Sequence, residues 1–169
     1  MNRFPLILSL IFILLLQIFV CNNVDFFGFV NPYIYVAFVF LFPLTKNRFI
    51  TLFTAFVYGL TIDFFSDTGA IHAFSLVLIC YVRLFFLRLF FRKNDFDFLL
   101  FQLNQESFGK VFSYVITLTF MHHLVMFVLA NFSFQNFIEV LTHTVYSTAF
   151  TVTLYFLGSF LFNRKTISS

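Results

Sequence analysis

Two adjacent histidines, His122 and His123, carry imidazole nitrogens that could bind a metal or pass a proton. On a helix, neighbouring side chains point about 100° apart, so the pair cannot share one ion without rearrangement. Further ligands would have to come from His72, His143, Glu139 or Asp63, and no sequence spacing gathers them. The H-E-x-x-H signature, a Gly-rich phosphate loop, a nucleophile elbow and a paired-carboxylate segment are all absent from the sequence. The expectation is therefore neutral imidazoles that hydrogen-bond between helices, with no metal, no cofactor and no catalysis.

A second group lies in the stretch from Thr51 to Phe74, where Thr51, Ala55, Gly59 and Asp63 recur at four-residue steps. On a helix that spacing stacks them on one ridge, three small residues ended by a carboxylate. Ser66, Asp67, Thr68 and Gly69 then read as a tight polar turn, and apolar sequence resumes through His72 and Ala73. Small ridges let helices approach closely in lipid. The ridge is expected to receive a partner's transmembrane helix, with Gly69 and His72 nearby, at a position that bars Leu at Gly59 but leaves room for Ala. A packed helix pair with a solvated Asp63 is the alternative. Glu139, His143, Ser147 and Thr151 also step by four, a polar stripe expected to face other helices. Arg83 stands inside an apolar run, where a charge is costly, and is expected to snorkel to the interface.

The elements that must position these residues are membrane helices. Hydrophobic residues make up 61% of the 169 and charged residues only 10%, against about 25% charged in a soluble domain. Such a chain cannot cover itself in water; its solvent is a bilayer, and it forms one polytopic domain over residues 1–169. The basic balance, a net charge of +3, does not indicate nucleic acid, because the basic residues sit at span ends rather than in a patch with exposed aromatics. Cys21 and Cys80 are badly placed for a disulfide and read as apolar fillers.

In chain order, Phe4 to Cys21 is uncharged and long enough to span; it lacks a small-x-small cleavage site and reads as a retained first helix rather than a signal peptide. Asn31-Pro32 reads as a helix start, with Asn as cap and Pro in the first turn. The following segment, Tyr33 to Leu44, is interrupted by Pro43 and rises only roughly 20 Å, less than a bilayer core of about 30 Å, so neighbours must shelter it. Phe49 to Phe65, Ile71 to Phe91, Val111 to Ala130 and Phe137 to Phe162 supply the remaining spans. Asn94 to Lys110 reads as a short interfacial helix. With about six spans and the N-terminus inside, all 10 Lys and Arg fall on one side, whereas Asp25, Asp63, Asp67 and Glu139 fall on the other. That segregation predicts both termini in the cytoplasm.

The run Gly59-Leu60-Thr61-Ile62-Asp63-Phe64 followed by Gly69, His72 and Ala73 resembles the rod shape-determining protein MreD family. So do Asn31-Pro32-Tyr33, the arginine-ended fourth span, and His122-His123-Leu124-Val125-Met126-Phe127 continuing to Asn131-Phe132-Ser133-Phe134. The resemblance implies an all-α bundle similar to the substrate-binding subunits of ECF vitamin transporters, in the bacterial inner membrane. It implies a non-enzymatic part of the cell-wall elongation machinery, partnering MreC, the RodA glycosyltransferase with its penicillin-binding transpeptidase, and more indirectly the MreB filament. A solute-binding subunit of an ECF-type vitamin transporter is the rival expectation. No catalytic motif is carried over.

Overall fold

A computed structural model describes residues 3–24, 31–44, 47–92, 103–131 and 136–163. Six α-helices occur among them: α1 (Arg3–Phe19), α2 (Ala37–Leu41), α3 (Arg48–Ser66), α4 (Ile71–Phe91), α5 (Phe108–Asn131) and α6 (Phe137–Asn163). Asp25, Gly28, Lys46, Lys93, Arg164, Lys165 and positions 94–102 of the expected interfacial helix lie outside the described residues. The end of that expected helix is instead a 3-10 turn, Leu103–Gln105, followed by the first turn of α5.

Four helices, those over Phe4–Asn23, Arg48–Ser66, Ile71–Phe91 and Phe108–Asn131, are long and apolar enough to cross a membrane. Their exteriors are apolar as well: Phe4, Phe49, Phe64, Phe85 and Phe108 all stand exposed, Phe64 at 81%. In water such faces would be driven together, so they fit a lipid surround.

The helices follow one another in space. α1 lies on α3, α3 pairs with α4, α4 with α5, and α5 with α6. The short broken segment sits inside this arc. Its 3-10 turn, Ile34–Val36, reaches both α1 and α6, and α2 continues against α4. Tyr35, Val36 and Val39 are fully buried there, the shelter that so short a segment requires. Phe42, held extended before Pro43, ends it.

Asn31-Pro32 does not start a helix in the way the cap pattern predicts. The helical turn begins at Ile34, behind Tyr33, which makes no side-chain cap bond. Tertiary bonds hold the backbone instead: Gln17 Nε2 donates to the Pro32 carbonyl at 3.2 Å, and the Tyr33 amide donates to Thr151 Oγ1 at 3.1 Å. At α3 the cap is local, since Asn47 Oδ1 accepts from the Phe49 amide at 3.0 Å. The turn to α4 carries positive φ at Asp67, Gly69 and Ala70, which reverses the chain within four residues.

Candidate functional site: the buried polar core

The small ridge of α3 is wholly buried: Thr51, Ala55, Gly59 and Asp63 all turn inward. Its occupant is the chain's own α4. A Cβ built on Gly59 would stand 2.5 Å from Ala73 Cα and 2.8 Å from the Ala73 amide nitrogen. Both are backbone atoms, so neither can swing aside. The ridge thus serves an internal helix pair, and the room expected for Ala at Gly59 does not exist. Gly69 lies in the turn at φ +61° with nothing near its Cβ position, so it supplies backbone conformation and no packing surface.

Asp63 has a role that follows from this approach. Residue Ala70, at the N-cap position of α4, has no side chain that can cap, and the carboxylate from α3 takes over. Asp63 Oδ1 accepts from the His72 amide at 3.0 Å, and Oδ2 from the Ala73 amide at 2.8 Å. These are the amides that an N-cap side chain ordinarily satisfies, and the negative charge meets the positive end of the helix dipole. Thr68 Oγ1 donates to Oδ1 at 2.6 Å, and His72 Nδ1 lies 3.0 Å from the same oxygen. An ionised carboxylate only accepts, so the His72 proton sits on Nδ1. Asp63 is therefore neither solvated nor free for a partner.

His72 leads into a second layer. Its ring packs at 5.5 Å on Tyr35 and 6.0 Å on Tyr33. Tyr35 Oη and His122 Nε2 are 2.9 Å apart, and His123 Nδ1 lies 3.1 Å from Thr148 Oγ1. The two imidazoles of α5 thus point to different neighbours, α2's leading turn and α6, as adjacent helical residues must. Both are fully buried, and His122 Nδ1, His123 Nε2 and Ser147 Oγ have no hydrogen-bond partner. Among the described residues no three His, Cys, Asp or Glu side chains gather as a metal set.

Gln17, which carries no motif, is a hub of this core. It is fully buried, donates to Asn22 Oδ1 at 2.8 Å and to the Pro32 carbonyl, and accepts from the Tyr35 amide at 3.3 Å. Asn22 Nδ2 in turn donates to Ser66 Oγ at 2.7 Å, tying α1 to the end of α3. A lone Gln within an apolar span was the available signal, since an amide in lipid must find partners.

The other candidates lie apart. Arg83 is 5% exposed and turns inward, donating from Nη1 to the Phe42 carbonyl at 2.8 Å, rather than reaching outward to the interface. On α6 the expected stripe divides: Ser147 and Thr151 are buried, His143 is half-buried, and Glu139 is exposed, 3.8 Å from His143. The buried polar face is instead Thr144, Ser147, Thr148 and Thr151. Four-residue steps drift about 40° each around a helix, so a strict row leaves a straight contact line within three steps.

Fold and site together define an all-helical protein with four helices fit to cross a membrane and a polar core closed mainly on itself. No match for the chain is found among protein-family models, curated proteins or solved structures.

Proposed function

We propose that the chain is a non-catalytic, multi-pass platform of the bacterial wall-elongation machinery, scaffolding MreC-like and RodA-like proteins and the penicillin-binding transpeptidase. In this reading α2 and α6 complete about six spans, both termini are cytoplasmic, and the bundle is of the ECF substrate-binding type in the inner membrane. The observation that supports a platform is the pairing of polar groups with one another: Asp63 with α4, Tyr35 with His122, and His123 with Thr148. Hydrogen-bonded helix contacts of this kind hold a bundle rigid while its apolar exterior stays available to partner helices. The assignment to elongation itself rests on the residue resemblance to MreD. Since α4 fills the small ridge, partner helices are assigned to the apolar outer faces of α1 and α3, where Phe12, Phe53 and Phe56 stand exposed. Recovery of MreC-like and RodA-like proteins with the tagged full chain, in mild detergent from its host membrane, is expected. Their absence at normal membrane levels of the chain overturns the reading.

A solute-binding subunit is the second reading, and one observation favours it. His122 Nδ1, His123 Nε2 and Ser147 Oγ are buried without partners, donors and acceptors that a small polar solute could take up. Saturable binding of a labelled vitamin by the purified chain, lost in His123→Ala, would establish it in place of the platform.

A further inference from the structure

The end of the hairpin opposite Asp63 carries a different chemistry. Counting equal steps away from the Gly59–Ala73 contact along the antiparallel pair brings the start of α3, at Arg48, level with Leu84 and so beside Arg83. α4 continues for two further turns, to Phe91. Between the two helices lies a cleft of about 30 Å³ lined by Arg48, Thr51, Arg83, Cys80, Tyr81 and neighbouring leucines. That is room for one or two oxygen-sized atoms.

Two positive side chains therefore share one small cleft. Arg83 gives one donor to the Phe42 carbonyl, while its Nε is buried without a partner. Among the described residues no Asp or Glu pairs with Arg83 or Arg48. A buried guanidinium lacking a counter-ion is strongly disfavoured. The N-terminus of the 19-residue α3 adds the positive end of its dipole, and Asn47 caps it at the Phe49 amide. The side chains lining this cleft include two guanidinium groups and no carboxylate.

We infer that the cleft binds the phosphodiester of an anionic phospholipid, one phosphoryl oxygen entering between Arg48 and Arg83. Arginine forks and helix N-termini suit phosphate oxygens, and basic clefts between spans at the bilayer surface take anionic headgroups. The lipid source follows from the surroundings: Tyr81, on the rim, is 64% exposed on an apolar face, and Leu52 and Leu84 flank the entry where acyl chains would run. The inference rests on membrane embedding and not on the elongation reading, and its test leaves partner binding aside.

The purified full chain in mild detergent is titrated with phosphatidylglycerol, phosphatidylethanolamine or inorganic phosphate, with lipid retention read by native mass spectrometry and thermal unfolding. Phosphatidylglycerol is expected to bind at least about tenfold more tightly than phosphatidylethanolamine. Arg83→Gln is expected to weaken it ~10- to 100-fold, as loss of a charge-assisted bond does. Arg48→Gln should weaken it by about tenfold, and Arg88→Gln, outside the cleft, should leave it unchanged. If Arg83→Gln does not fold, Arg48→Gln decides alone, since Arg48 is exposed at a helix end. Equal binding of both lipids overturns the inference, as does an equal loss in Arg88→Gln, which marks a diffuse basic surface. Stabilisation by inorganic phosphate alone, as large as by phosphatidylglycerol, assigns the cleft to a free anion and also overturns it.

Discussion

Along α3, Thr51, Ala55, Gly59 and Asp63 are all buried against α4, whereas along α6 the row Glu139, His143, Ser147 and Thr151 begins exposed and is buried only in its second half. Both rows have the same four-residue spacing. The i±4 row of a helix is inclined about 26° to its axis, so a neighbour buries the whole row only by lying along it. Small side chains let α4 do so, down to backbone contact at Gly59. On α6 the row begins with the larger Glu139 and His143, which are not buried, and the buried polar line is Thr144, Ser147, Thr148 and Thr151 instead. Equal spacing thus shows which residues share a row, and side-chain size decides whether a helix follows it.

The sharpest way to break this contrast is Gly59→Ala. The new methyl would sit 2.5 Å from Ala73 Cα, so the helices must part. Overpacking of this kind costs about 1–3 kcal/mol. Parting them also pulls His72 and Ala73 away from Asp63, a cap worth up to ~2 kcal/mol. The better helix propensity of Ala returns ~1 kcal/mol. A net loss of up to about 4 kcal/mol is expected, read as a lower unfolding temperature in detergent. Unchanged stability would mean that α3 and α4 do not meet at Gly59.

Asp63 comes next. Asp63→Ala leaves the His72 and Ala73 amides without their acceptor and should cost about 1–3 kcal/mol. Asp63→Asn keeps one oxygen for those amides and should lose only about 1 kcal/mol. If Asp63→Asn is as damaging as Asp63→Ala, the charge matters more than the cap geometry.

Much of this hairpin was legible in the sequence: the ridge and the return through His72 occur where the residue types predict, and the turn, expected at Ser66 to Gly69, falls one residue later at Asp67 to Ala70. What was not legible is which helix fills the ridge, because a groove suited to close approach is equally suited to a partner or to α4. The trans-cap was hidden for a related reason. Asp63 and His72 are nine residues apart, and only the reversal through Asp67 and Ala70 brings them together. At Asn31-Pro32 the local cap pattern lost to Gln17 and Thr151, distant partners that no short-range rule includes. Arg83 was legible as a problem, a charge among apolar residues, but not as one turned toward the Phe42 carbonyl.

On α6 the expected effects are smaller and differ in sign. Thr151→Val removes the acceptor of the Tyr33 amide and should cost about 0.5–1.5 kcal/mol. Ser147→Ala removes a buried hydroxyl that has no partner, so it should be neutral or stabilise by up to ~1 kcal/mol. Paired unfolding measurements on the two variants check this. A loss at Ser147 matching that at Thr151 would show that both hydroxyls are bonded and that the row is engaged throughout.

The smallest effect is expected at the start of the row. Glu139 is exposed, and its carboxylate lies 3.8 Å from His143 one turn along the helix. Such a pair adds only about 0.2–0.5 kcal/mol when the histidine is charged, and less when it is neutral. Glu139 also stands in the first turn of α6, where its charge favours the helix dipole by about 0.3–1 kcal/mol, reduced by salt. Glu139→Gln should therefore lower stability by no more than about 1.5 kcal/mol, and raised ionic strength should shrink the difference between wild type and variant. A loss well above about 1.5 kcal/mol that salt does not reduce would place Glu139 in a buried contact, and the division of the α6 row would fail with it.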